Sequence, residues 1–307
     1  MNYTLNQLRI FLQVVRQGSI TKAAEDLHLS QPAVSIQVRN LQEQFDIPLL
    51  EVVNKKVYIT DFGQEIAAAA ERMLAEVELI EARMQAYKGR LVGKLKISSV
   101  STGKYIAPYF LSDFISQHPA IELFLDVTNK AQVIQSLEKN EVDFALVSVL
   151  PEHLSFEKVE LMQNKLYLVG TPDMVKAAGK ADKKLFERIP LIYREQGSGT
   201  RYTVERFFVK HKLSVTKKLE LTSNEAVKQA VISGLGFSIM PLIGIKNELD
   251  SGQLQILPVR GFPIRSTWTL IWLRNKRHSP VARAFLSYIR SEKQRIINAR
   301  FNWVDMN

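Results

Sequence analysis

Residues 19–35 read Ser19-Ile20-Thr21-Lys22-Ala23-Ala24-Glu25-Asp26-Leu27-His28-Leu29-Ser30-Gln31-Pro32-Ala33-Val34-Ser35, and this stretch decides the fold of the N-terminal part. Ser19 suits the N-cap of a short helix with Ile20, Ala23, Ala24 and Leu27 on one face. Ser30 can cap a second helix, and Pro32 in its first turn loses no hydrogen bond because its N–H would be unpaired there. Val34, Val38, Leu41 and Phe45 form the apolar stripe of that helix. Upstream, Leu5, Leu8, Phe11, Leu12 and Val15 predict a preceding helix closed by Gly18. Two helices joined by a turn of about three residues make a helix-turn-helix, whose second helix can enter the major groove. Gln31, Ser35, Gln37 and Arg39 lie early on that helix. Gln pairs bidentately with adenine, Ser is tolerant, and Arg reaches guanine or phosphate. A solvated face of an ordinary three-helix bundle would show the same periodicity.

The wording of the stretch separates the two. It closely resembles the winged helix-turn-helix of LysR-type transcriptional regulators, as do Leu41, Glu43, Pro48-Leu49-Leu50, Val57, Ile59-Thr60 and Gly63. The resemblance implies double-stranded DNA as partner and a β-wing beside the minor groove. Ser30, Gln31, Pro32, Ala33, Ser35, Gln37 and Arg39 would face the DNA, with Lys55 and Lys56 at the wing tip within reach of phosphate. Two positions depart from the family. Ile36 and Val52 stand where it often has Arg, and each removes a potential DNA contact. A shifted sequence preference and weaker phosphate affinity are expected.

From Asp61 to about Lys88 the chain is rich in Ala, Glu, Met and Arg and contains no Pro. Ile66, Ala70, Met73, Val77, Ile80, Met84 and Tyr87 step by four and three, a heptad seam. Packing on the chain's own domain is one explanation. The regularity of the seam favours pairing with a second copy, and the resemblance implies the same, with tetramers built from dimers. A dimer would read an inverted repeat.

Gly89 and Gly93 bound a hinge. Beyond it strands and helices alternate: Leu95–Val100, Glu122–Thr128 and Phe144–Val149 as strands around helices Tyr105–Ser116 and Lys130–Lys139. That order predicts a parallel sheet with right-handed crossovers. It restarts with strands from Lys165, Leu191, Leu219 and Phe237, and ends in a strand from Trp268 and a helix from Pro280. Two α/β subdomains with a cleft are expected, and open α/β sheets bind ligands outside the carboxyl ends of their strands. Ser99, Ser101, Thr102, Gly103, Asn129, Ser148, Gly197, Ser198, Thr200, Arg201 and Asn224 lie at such ends. Hydroxyls and backbone N–H groups at helix N-termini suit a small anion, and Arg201 could add a bidentate pair. Each of these residues also suits a plain helix cap or turn. The Gly197-Ser198-Gly199-Thr200 turn lacks the Lys and spacing of a nucleotide P-loop. Residues 194–201 and 223–236 resemble LysR effector domains, most of all regulators of carbon fixation and of sulfur or nitrogen assimilation. That implies a fold similar to periplasmic binding proteins.

The expected organisation is therefore α/β with an all-α, winged N-terminal domain: a winged helix-turn-helix over 1–60, a dimerising helix over 61–88, a hinge over 89–94 and an effector domain over 95–307. Subdomain I would take about 95–163 and 268–307, and subdomain II about 164–267. The 307 residues hold 41 Lys plus Arg against 31 Asp plus Glu, a net charge of +10. The basic excess does not lie in the helix-turn-helix: residues 1–60 carry a net +1, residues 61–94 a net −1 and residues 95–307 a net +10. Residues 176–218 alone carry a net +8; from Lys176 to Lys184 this reads as a solvated surface, and near Arg194 and Arg201 as a positive field that draws in an anionic ligand. With no Cys, disulfides, thiol nucleophiles and Cys-containing metal sites are excluded. The five His are scattered, no apolar run has the length of a membrane span, and no signal peptide is legible, which predicts a cytoplasmic protein without a metal or cofactor. An enzyme is disfavoured because no Gly-x-Ser-x-Gly elbow, P-loop or Rossmann fingerprint occurs. The expected function is an effector-responsive transcriptional regulator, with RNA polymerase a further candidate partner. A DNA-binding regulator that ignores ligands is the alternative.

Overall fold

The computed structural model describes residues 2–53, 56–87, 91–179, 184–215 and 217–306, in two compact units, Met1–Gly89 and Arg90–Asn307. The first unit comprises α1 (Leu5–Gln17), α2 (Ile20–Asp26), α3 (Gln31–Gln42), β1 (Leu50–Val53), β2 (Lys56–Ile59) and α4 (Asp61–Tyr87). Local signals set its boundaries. Thr4 and Gln7 form a capping box on α1, and Gly18 ends that helix in the left-handed region at φ +59°. Ser19 caps α2 by accepting from the Lys22 N–H, and His28 turns the chain into α3 at φ +54°. Leu8, Phe11, Val34, Leu41 and Leu49 are buried together as the core. β1 and β2 form an antiparallel hairpin, the wing, with Leu50 opposite Ile59.

α4 docks on this core at its start. Thr60 Oγ1 donates to the Pro48 carbonyl at 2.7 Å and accepts the Gly63 N–H at 2.9 Å. A Cβ at Gly63 would overlap the Leu49 carbonyl oxygen, so only glycine lets the helix lie this close. Ala67 and Ala70 are buried in the same core, with Ile66 and Leu74 packed against it. Of the expected dimer seam, Ala70 is thus buried and Ile66 half-buried against their own unit, where α4 packs on α1. Farther along, Met73, Ile80 and Met84 are exposed at 43%, 65% and 53%.

The second unit begins with β3 (Gly93–Val100), a 3₁₀ turn over Ser101–Tyr105, α5 (Ala107–Gln117), β4 (Ile121–Thr128), α6 (Lys130–Glu138), β5 (Phe144–Val147) and β6 (Phe156–Gly170). It continues through α7 (Pro172–Ala177), α8 (Leu185–Arg188), β7 (Pro190–Arg194), α9 (Gly199–His211), β8 (Lys217–Leu221), α10 (Asn224–Ile232) and β9 (Phe237–Pro241). A second 3₁₀ turn spans Leu242–Gly244, followed by α11 (Lys246–Asp250), β10 (Gln255–Ile256), β11 (Ile264–Leu273), α12 (Pro280–Arg300) and α13 (Trp303–Met306).

One sheet runs in the order β4-β3-β5-β11-β6-β9-β7-β8, with β10 on β6. β3 pairs in parallel with β4 and β5, and β7 in parallel with β8 and β9. The sheet is mixed rather than purely parallel, because β6 and β11 run antiparallel to each other and to β9 and β5. These two strands are longer than their sequence pattern suggests, beginning at Phe156 and Ile264, and they tie the halves of the sheet together. One core, including Leu95, Phe110, Phe144, Trp268 and Phe285, serves the β3 half. Two smaller cores, around Phe186 and Phe208 and around Val231 and Met240, serve the β7 half.

Candidate DNA-binding face and ligand cleft

In α3, Val34, Val38 and Leu41 are buried. Gln31, Pro32, Ile36 and Arg39 are exposed, while Ala33, Ser35 and Gln37 are half-buried. Ile36, 45% exposed, stands two residues from both Val34 and Val38 and so points directly away from the core. The candidate reading face therefore carries an exposed apolar side chain among its polar ones. Ser30 is engaged as the α3 cap, its hydroxyl accepting from the Ala33 N–H at 3.4 Å. Arg39 is loosely paired with Glu43 at 3.8 Å and solvated. On the wing Lys56 is exposed, as are Val52 and Tyr58. Lys55 lies outside the described residues.

The second unit brings the polar strand ends together. Ser99 is buried and donates to the Val100 carbonyl at 3.2 Å, with Thr102 and Gly103 buried in the turn behind it. Ser101 Oγ accepts from Arg194 Nη1 at 3.1 Å and from Asn224 Nδ2 at 3.1 Å. Side chains from β3's end, β7's end and the start of α10 thus converge on one hydroxyl. Arg194 also holds Glu195 through two nitrogens, Nε at 2.7 Å and Nη2 at 2.8 Å. A cavity of about 10 Å³ lined by Tyr193, Arg194, Thr200 and Asn224 adjoins this cluster. Burial pushes the Tyr193 hydroxyl well above the usual phenol range, so it stays a neutral group.

The remaining candidates divide. Asn129 acts as a helix cap, its Oδ1 accepting from the Gln132 N–H at 3.1 Å. Gly197, at φ +88°, accepts the Ala131 N–H at 3.3 Å, joining the Gly-Ser-Gly turn to the start of α6. Ser198 is buried at the N-terminus of α9 and makes no side-chain cap bond. Ser148 is half-buried opposite Gly199. Arg201, expected to bind an anion, lines both the small cavity and a larger one beside the turn, and is also paired: Nε to Glu205 at 2.8 Å, and Nη1 to Glu220 at 2.6 Å and the Arg194 carbonyl at 3.2 Å. Its position on the first turn of α9 turns its fork toward β8, and the bonds to Glu205 and Glu220 raise its pKa further. The guanidinium that meets Ser101 at the strand ends is Arg194, seven residues earlier.

A larger cavity of about 600 Å³ lies beside the turn, lined among others by Lys130, Glu152, Gly197 and Tyr202. Tyr202 donates to Glu152 at 3.1 Å, and Lys130 Nζ sits 4.5 Å from the Tyr202 ring centre. Burial lowers the Lys130 pKa, partly offset by Glu152. Behind the cluster Lys228 is buried between Glu248 at 2.7 Å and Glu225 at 3.1 Å. Burial alone would lower its pKa, but the bonds to Glu248 and Glu225 outweigh it and raise it. No group of acidic and His residues suited to a metal occurs among the described residues, and none of their helices is long and apolar enough to cross a membrane.

Comparison with known proteins gives these features a context. Residues 5–64 match the model of bacterial regulatory helix-turn-helix proteins of the lysR family, and residues 88–294 match the LysR substrate binding domain. A RuBisCO operon transcriptional regulator of Allochromatium vinosum is 40% identical over 298 residues, covering 96% of this chain and 98% of that protein. The solved CcmR regulatory domain of Synechocystis PCC6803, in complex with 2-PG, is 33% identical with a TM-score of 0.61. It covers 68% of this chain and 98% of its own. Full-length CbnR complexed with its target DNA shares the fold at 21% identity and a TM-score of 0.62, over 94% of this chain and 99% of that one.

Proposed function

The chain belongs to the LysR family of transcriptional regulators, and from that footing we propose that its sheet domain senses a small oxyanion at the Ser101–Arg194–Asn224 cluster. It is a DNA-binding regulator with an effector domain, and not an enzyme. The observation that carries the anionic class is the convergence of Arg194 and Asn224 donors on Ser101. A helix N-terminus and a guanidinium together favour negative charge. The CcmR domain, bound to 2-phosphoglycolate, supports the same class.

In this reading residues 1–60 bind DNA through α3 and the wing, α4 pairs two chains, and residues 95–307 hold the effector. Gln31, Pro32, Ser35 and Arg39 carry the DNA contacts. Met73, Val77, Ile80 and Met84 carry the seam, and a homodimer or homotetramer forms on DNA inside the cell, with RNA polymerase as a further partner. A ligand shifts such an assembly only by binding one cleft geometry better than another. A thermal-shift series with 2-phosphoglycolate, inorganic phosphate, sulfate and uncharged glycerol tests the anionic class. The anions are expected to raise the unfolding temperature in a concentration-dependent way. Equal shifts from glycerol, or none from any anion, would remove this reading.

A further inference from the structure

Resting on that reading of the cleft, we propose that Arg194 holds the anionic head of the effector and that Glu195 is a built-in competitor for the same guanidinium. Arg194 is the best-buried ion-pair partner of the cleft, with its side chain 4% exposed against 15% for Glu195. Its Nε and Nη2 grip both oxygens of the Glu195 carboxylate. A phosphate, sulfate or carboxylate head presents paired oxygens to a guanidinium in the same way.

The cluster offers more donors than Glu195 can use. Arg194 Nη1 and Asn224 Nδ2 both point at Ser101 Oγ, and no acceptor for the Ser101 proton occurs among the described residues. A carboxylate with two oxygens fills the fork and stops there. A phosphate or sulfate head, with oxygens to spare, can fill the fork and also take the Ser101 and Asn224 donors. The neighbours let Glu195 move, since Gln196 beside it is exposed and the chain turns at Gly197.

The exchange also keeps the buried guanidinium paired in both states. A buried charge left without its partner is strongly destabilising, so an empty fork would be a poor resting state. With Glu195 in place, the effector sees only the fraction of molecules whose fork is free, and its apparent affinity is reduced by that fraction. The competitor therefore sets a threshold that weakly charged metabolites do not pass.

The test is calorimetric titration of the full-length protein with 2-phosphoglycolate, and with inorganic phosphate as a second probe, on the wild type, Glu195→Gln and Arg194→Gln. Glu195→Gln is expected to bind at least about tenfold tighter, and Arg194→Gln to lose measurable binding. The gain is expected to persist at high salt, where long-range repulsion by one carboxylate is screened. Should Glu195→Gln fail to fold by circular dichroism, Glu195→Asp replaces it. Its shorter carboxylate grips the fork less well, and tighter binding than wild type is again expected. Wild-type binding without any gain in the Glu195 variants, or a gain that vanishes at high salt, overturns the competitor role alone. No binding of either probe by any of the proteins overturns the anionic reading of the cleft together with it.

Discussion

Replacing Ile80 by Glu tests the pairing of chains. Full burial of a large aliphatic side chain contributes about 1.5–3 kcal/mol. Ile80 is 65% exposed in the single chain, against 53% for Met84 and 43% for Met73. Covering it in a pair of helices is therefore worth about 1–2 kcal/mol per chain, or about 2–4 kcal/mol per dimer. A carboxylate forced into the seam adds a desolvation cost in the same direction. The dimer dissociation constant should rise at least about 30-fold, and up to about 1,000-fold. Helix content should not fall, because Glu and Ile differ little in propensity and the side chain makes no core contact in its own unit. Sedimentation velocity over a dilution series, with circular dichroism as the control on folding, measures both. An Ile80→Glu chain as dimeric as the wild type at every concentration would refute the assignment of this face.

Three further outcomes are expected. Gln31→Ala should weaken binding to the cognate operator by about 1–3 kcal/mol, the value of one bidentate base contact, and leave binding to unrelated DNA unchanged in fluorescence anisotropy. Gly63→Ala should destabilise the helix-turn-helix unit by about 1–3 kcal/mol in thermal melts although Ala is the better helix former, because its Cβ overlaps the Leu49 carbonyl; a stabilised variant would contradict the close docking of α4. His278 packs 5.0 Å from the Phe144 ring, with neither ring nitrogen hydrogen-bonded among the described residues, and burial lowers its pKa below the ordinary 6.5. As pH falls through about 6.5 the unfolded chain takes up this proton first, so stability is held above that pH and declines below it, by at most about 1.4 kcal/mol per pH unit. His278→Phe should flatten that decline in melts between about pH 8 and pH 5, and an unchanged slope would assign it to other groups.

The helix-turn-helix was legible because its signals are local. Ser19, Ser30, Gly18 and Pro32 act within a turn of their own position, and each does so in the structure. The long antiparallel strands were only half legible for the opposite reason. Gln163-Asn164-Lys165 interrupts the apolar pattern of β6, yet Asn164 bonds Ser266 at 3.1 Å and Lys165 bonds the Val304 carbonyl at 2.7 Å. Those partners lie more than a hundred residues away along the chain, and no window of sequence shows them. The heptad seam left open what covers Ile66 and Ala70, which pack against their own unit, because spacing alone does not tell which partner covers a helix face. At the cleft, residue types were legible and orientation was not: Arg194 and Arg201 flank the same Gly-Ser-Gly turn, but the path of β7 into α9 decides which fork meets Ser101.

A small anion bound at the Ser101–Arg194–Asn224 cluster is expected to change how the paired chains sit on DNA. A DNase I footprint on the DNA upstream of the protein's own gene, with and without 2-phosphoglycolate, tests it most directly. The protected length or the pattern of hypersensitive cleavage should change with ligand for the wild type and stay fixed for Ser101→Ala with Asn224→Ala. Identical footprints at saturating ligand would contradict an effect of the anion on DNA binding.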